Sequence, residues 1–116
     1  MISNVGINEI SNFLSTKYSI VAVGTGNTPV SMNDTILSNE VIRGSTTNTI
    51  TTTDTINDTA TFIRRITNTS SGSLKELGLF DSTNKMFFRE LFSSEAFIPV
   101  GQNFDLVVNI ISKEVD

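Results

Sequence analysis

Cysteine, histidine and tryptophan are absent from these 116 residues, tyrosine occurs once and proline twice. Without cysteine or histidine there is no disulfide staple, no thiol nucleophile, no Cys/His zinc site and no His-based triad or general base. Basic side chains are few: eight Lys and Arg stand against twelve Asp and Glu, giving a net charge of −4 and a pI near 4.6. Nucleic-acid affinity rests on clustered Lys and Arg, so this balance argues against a phosphate-tracking groove, and no nucleic-acid partner is expected. No apolar run reaches the roughly 18 residues of a membrane span, and Met1-Ile2-Ser3-Asn4 lacks the basic and apolar regions of a signal peptide. The expectation is a soluble chain, made and kept in a cytoplasm, with no membrane partner.

What is abundant is β-branched and small polar. Sixteen Thr accompany 13 Ile and 9 Val, and 14 Ser and 12 Asn supply turn chemistry. Thr, Ile and Val fit a pleated surface, and the length suits one domain, here residues 1–116. Val5, Ile7, Ile10, Phe13 and Leu14 recur at three- and four-residue steps and predict a short amphipathic helix over 5–15, capped by Asn4, within an N-terminal segment 1–16. So short a helix needs a surface to cover, either the chain's own sheet or a neighbouring subunit. Residues 18–23 read as a buried strand, and Gly24 to Pro29 as a loop. Asn33-Asp34 suggests a cap for one or two helical turns through Ile36, Leu37 and Val41.

The stretch 44–59 is almost all small and polar, and reads as one solvent-washed strand with Ile50 and Ile56 on the same face in preference to low-complexity disorder. Residues 59–68 and 74–80 are strands separated by a turn. The runs 74–80 and 86–92, joined by the turn cluster Asp81-Ser82-Thr83-Asn84-Lys85, form a β-hairpin. After Pro99-Val100-Gly101-Gln102 comes an alternating final strand through Phe104, Leu106, Val108 and Ile110. About six strands with turn clusters between them predict a mainly β, antiparallel β-sandwich, jelly-roll-like, with a short N-terminal helix.

Candidate chemistry is sparse. Gly24-Thr25-Gly26 lacks the Lys-Ser/Thr of a phosphate loop and the third Gly of a dinucleotide fingerprint, so it reads as a turn. Carboxylates are available, but nothing pairs two of them across a substrate, and no Trp platform would hold a sugar. Glu76 sits in an apolar strand, with Arg89 in the other arm of the same hairpin, which fits a structural ion pair. Gly24, Gly26, Gly78 and Gly101 are assigned to turns. Ile7, Ile10, Phe13, Leu14 and Arg65 are the candidate partner-facing residues. No catalytic residue, cofactor or metal ligand is expected, and the three Asn-x-Ser/Thr triplets at Asn33, Asn57 and Asn68 are of the kind chance produces in so Thr- and Asn-rich a chain.

The order of the landmarks resembles that of small virion proteins of tailed bacterial and archaeal viruses. Those proteins carry an N-x-G-x-x-x-I opening, a strand ending in V/L-G-T-G-x-T, a D-T-x-L-x-x-E segment, T-N-T-S before E-x-G-L-F, a following Arg and a closing alternating strand. Here the counterparts are Asn4, Gly6 and Ile10, then Val23-Gly24-Thr25-Gly26-Asn27-Thr28 and Asp34-Thr35-Ile36-Leu37-Ser38-Asn39-Glu40. Thr67-Asn68-Thr69-Ser70, Glu76-Leu77-Gly78-Leu79-Phe80-Asp81, Arg89 and Ile98-Pro99-Val100-Gly101 complete the set. The resemblance implies a non-enzymatic structural subunit of the virion, in capsid decoration, tail-fibre or baseplate, assembled as a homo-oligomer with a trimer favoured and contacting other virion proteins. The alternative it leaves open is a fibre-tip module that reads a host receptor or glycan.

Overall fold

The structure, a computed structural model, describes residues 1–113. It opens with helix α1, Asn4–Lys17, three residues longer than its apolar spacing predicts. Ser3, not Asn4, is the N-cap: its extended backbone lets Oγ accept the Gly6 N–H at 3.1 Å, whereas Asn4 is already the first helical residue. Ile7, Ser11 and Leu14 form the buried stripe at i, i+4 and i+7, while Ile10 and Phe13 point outward and are 42 % and 59 % exposed. The expectation that Ile7 and Leu14 face a partner is therefore corrected. They turn toward the chain's own sheets, where α1 packs against the first, third and fourth strands.

Seven strands follow: β1 Tyr18–Gly24, β2 Glu40–Ser45, β3 Thr47–Thr51, β4 Thr59–Thr67, β5 Leu74–Asp81, β6 Met86–Ala96 and β7 Asn103–Ile111. They make an antiparallel β-sandwich, a four-stranded sheet ordered β2-β1-β5-β6 over a three-stranded sheet ordered β3-β4-β7. Between the sheets lie Val21 and Val23 of β1, Ala60, Phe62 and Ile66 of β4, Leu74 and Leu79 of β5, and Leu106 and Val108 of β7, with Leu14 closing one side. Alternation with period two explains the β4 contribution: Ala60, Phe62 and Ile66 face in, whereas Ile63 and Arg65 face out.

Two segments depart from their sequence reading. Residues 44–59 do not form one strand. The chain leaves the first sheet at Ser45, crosses to the second through the single residue Thr46, runs as β3 to Thr51 and then turns, which accounts for the seventh strand. The turn exists because the Asp58 carboxylate collects the N–H groups of Thr53, Asp54 and Thr55 at 2.8–2.9 Å, so Ile56 stands 71 % exposed at its tip instead of sharing a face with half-buried Ile50. Residues 33–41 likewise form no helix. Asp34 directs its carboxylate to Ser31 N–H and Arg89 instead of capping a helical turn, and the Ser38 and Asn39 amides are taken by a side chain of β5.

Loop 25–39 consequently lies extended over the outer face of the four-stranded sheet. There it lowers Leu37 onto Ala22 and Phe80, creating a second, smaller core flanked by Ile20 and Met86. The Arg43 guanidinium sits 4.7 Å above the centre of the Phe80 ring and covers the remaining side.

Candidate functional site

The densest polar constellation lies under this loop. Leu77 and Leu79 of β5 face the main core, so period two sends Glu76, Gly78 and Phe80 to the opposite face, beneath loop 25–39. Glu76 has no exposed surface. Its Oε1 accepts from Ser38 N–H at 2.7 Å and Arg89 Nε at 2.9 Å, and its Oε2 from Gly26 N–H at 2.9 Å and Asn39 N–H at 2.7 Å. One carboxylate thus holds both ends of the loop to the sheet.

Arg89 completes the network. Its Nη1 reaches Asp34 Oδ2 at 3.2 Å and its Nη2 donates to Thr28 O at 2.7 Å. The two charges are diagonal across the hairpin, not directly opposed: Glu76 faces Leu91 in register, and Arg89 faces Gly78. A diagonal separation suits the long Arg side chain.

Burial alone would push the Glu76 carboxyl upward, but the N–H groups of Asn39, Ser38 and Gly26 and the Arg89 guanidinium outweigh it and hold the group below the ordinary Glu range. Burial opposes the Arg89 charge in the same way, and Glu76 and Asp34 overcome it, raising Arg89 above its usual value. Asp34 is lowered chiefly by the Ser31 N–H, with Arg89 assisting. An ionised carboxylate whose two oxygens each accept two hydrogen bonds has neither a proton to give nor a free lone pair aimed at a substrate. Its chemistry is to hold the loop.

The glycines of this region serve close approach, which corrects their assignment to turns. Gly78 lies in the middle of β5, where a Cβ would come within 2.8 Å of Leu37 Cδ2 and 3.0 Å of Phe80 Cε1. Gly24 ends β1, and a Cβ there would meet the Asn39 carbonyl oxygen at 2.3 Å. At Gly26 the obstacles are Ser38 Cβ at 2.4 Å and the Glu76 carboxylate at 2.5 Å. Of the four, only Gly101 has a left-handed backbone, with φ of 89°.

Two further carboxylates work in the same manner. Asp58 binds the three amides of its turn and the Thr59 hydroxyl, and these hold it well below the usual carboxylate range, the Thr55 N–H most of all. Asp81 closes the hairpin turn by accepting from Lys85 N–H, Thr83 N–H and Thr83 Oγ1, pairs with Lys17 of α1 at 3.2 Å, and is likewise strongly lowered, with the Lys85 N–H first among the causes. Buried Asn68, noted in the sequence as part of a triplet and of the Thr67–Ser70 landmark, accepts from Ser70 N–H and donates to Ile98 O, tying the β4–β5 connection to the turn before β7. Arg65 is exposed and pairs at 3.0 Å with Asp105, its direct neighbour on β7. Among the described residues no group of three or more Asp or Glu is placed to hold a metal ion.

Sequence reasoning missed Asp34 and the Thr28 carbonyl as partners of Arg89, and the loop amides as partners of Glu76. The signal that could have found them is the glycine at Gly24 and Gly26, which leaves backbone open to a buried acceptor. Comparison with family models, with curated proteins and with solved structures finds no match to this chain.

Proposed function

We propose that this chain is a non-enzymatic structural subunit of a tailed-virus particle, a self-associating β-sandwich on the capsid surface or in the tail or baseplate. One observation carries the reading. The segments through which the sequence resembles small virion proteins converge on a single network: Gly26 and Thr28, Asp34, Ser38 and Asn39, Glu76 and Arg89 meet around one buried ion pair. Residues that a family shares because they hold a shape are used internally, whereas residues shared for catalysis face a cleft. Of the landmark residues, Gly26, Thr28, Asp34, Glu76 and Arg89 are used internally.

Apolar surface left outside the fold supports association of copies. Ile10 and Phe13 on α1, Phe87 on β6 and Val107 and Ile111 on β7 are all at least two-fifths exposed. A subunit repeated on a particle needs only modest affinity per contact, because tethered neighbours raise the effective concentration by orders of magnitude. In this role the protein resides in the virion after synthesis in the host cytoplasm, contacts other virion proteins, uses no cofactor and catalyses nothing. The deciding experiment is a density map of intact particles purified from an infected host. The expected result is a seven-stranded sandwich in symmetric copies on the particle. Purified particles that lack the chain would remove the proposal.

A further inference from the structure

Among the described residues four sheet edges are open to pairing, and three of them are blunted. β2 has six residues and carries the Arg43–Glu40 ion pair, β3 has five residues, and β6 is broken by two register shifts and carries Arg89, Glu90 and Glu95. β7 has none of these protections. It pairs with β4 through nine consecutive residues without a shift and contains neither proline nor a basic residue. Its one acid, Asp105, is already matched with Arg65. An unprotected edge of this kind templates another strand, and among the described residues the only like edge is β7 of another copy.

We propose that the free edge of β7 pairs antiparallel with β7 of a second copy about a two-fold axis at Val107, joining two three-stranded sheets into one of six strands. This rests on the self-association proposed above and names its surface. Val107 is the midpoint of Asn103–Ile111, so centring the axis there gives full overlap. In that register Asp105 faces Asn109 of the other copy, Val107 faces Val107, and no like charges oppose one another. One unblunted edge per chain builds a two-fold pair, in place of the trimer expected from the sequence.

Area sets the size class of the contact. Nine residues at about 3.4 Å give an edge about 30 Å long, and with a layer about 10 Å thick the strands alone bury about 600 Å² over both copies. That is below the roughly 1,200–2,000 Å² of a tight complex. Beside the edge, between β6 and β7, lies an open groove of about 400 Å³ whose apolar residues Leu77, Phe87, Phe88, Val107, Val108 and Ile110 are joined by Arg89, Glu90 and Asn109, and it extends the contact. The pair is therefore a weak, reversible contact.

The test uses Val107, whose side chain is 54 % exposed and can change without disturbing the core. Val107→Lys and Val107→Glu each place two like charges on the axis. Each variant alone is expected to sediment as a monomer where the wild type dimerises, with affinity lowered about tenfold or more, and an equimolar mixture of the two is expected to recover the dimer. Circular dichroism verifies that both variants fold. If the wild type associates but neither substitution weakens it, or the mixture recovers nothing, the β7 pairing is wrong and self-association stands. A wild type that is monomeric at all concentrations up to the millimolar range overturns both.

Discussion

Replacing Glu76 with Gln keeps the size of the side chain and removes its charge. The amide NH2 must occupy one of two oxygen sites, and each faces two donors: Ser38 N–H and Arg89 Nε at one, Gly26 N–H and Asn39 N–H at the other. Whichever way the amide turns, two donors lose their acceptor and meet another donor. Arg89, with its side chain 2 % exposed, also loses its nearest countercharge and keeps only Asp34 at 3.2 Å. Breaking one side of a buried pair costs about 3–5 kcal/mol, a large part of the 5–15 kcal/mol typical of a domain. At roughly 4 °C per kcal/mol for a chain of this length, the melting temperature should fall by about 12–20 °C. Thermal unfolding followed by circular dichroism gives the number, and hydrogen exchange at Gly26, Ser38 and Asn39 reports the loop directly. A loss under about 1 kcal/mol with those amides still protected would refute the idea that this carboxylate anchors loop 25–39. A double-mutant cycle with Arg89→Met then separates the pair from the backbone contacts.

The buried and half-buried carboxylates together set an acid limit. Glu76, Asp34, Asp58 and Asp81 all have native pKa values below their unfolded values, so their contribution is fully present above about pH 4–5 and is lost as pH falls through the lowered native values. Urea midpoints should be flat near neutrality and fall steeply below pH 4, and in Glu76→Gln that fall should be shallower. Gly78→Ala forces Leu37 or Phe80 aside and should cost about 1–3 kcal/mol, partly recovered when Leu37→Ala is added, as measured by urea unfolding. Gly24→Ala meets the Asn39 backbone, which cannot swing away, and should lower the melting temperature more than Gly78→Ala does. Phe62→Ala removes a ring that is 1 % exposed between the sheets and should cost about 3–5 kcal/mol in the same assay.

Strands with their own signal were legible in the sequence. β1, β4, β5 and β7 carry apolar residues at period two or in short buried runs, and the β5–β6 hairpin is announced by the turn cluster 81–85. The pairing of Glu76 with Arg89 was readable because opposite charges in two arms of one hairpin have few other ways to be buried. Two loops were not. Thr is as content in an exposed strand as in a turn, so nothing in 44–59 marks the crossing at Thr46 or the turn gathered by Asp58. In 33–41 the spacing of Ile36, Leu37 and Val41 suits a helix, but that pattern cannot register that Ser38 and Asn39 lend their amides to a residue 37 or 38 positions away. Local periodicity fails where a distant side chain supplies the hydrogen bonds. The glycines misled for a related reason: the space beside Gly78 is defined by Leu37, 41 positions earlier, and not by any turn.

The anchoring of loop 25–39 also sets an order of events during folding. Its carboxylate acceptor belongs to a strand made tens of residues later, and its guanidinium later still, so the loop has nothing to dock on until β1, β5 and β6 are side by side. Closing such long spans costs chain entropy before any contact repays it. The loop settles only after those three strands pair, so substitutions at its anchor should accelerate unfolding while leaving the refolding rate nearly unchanged.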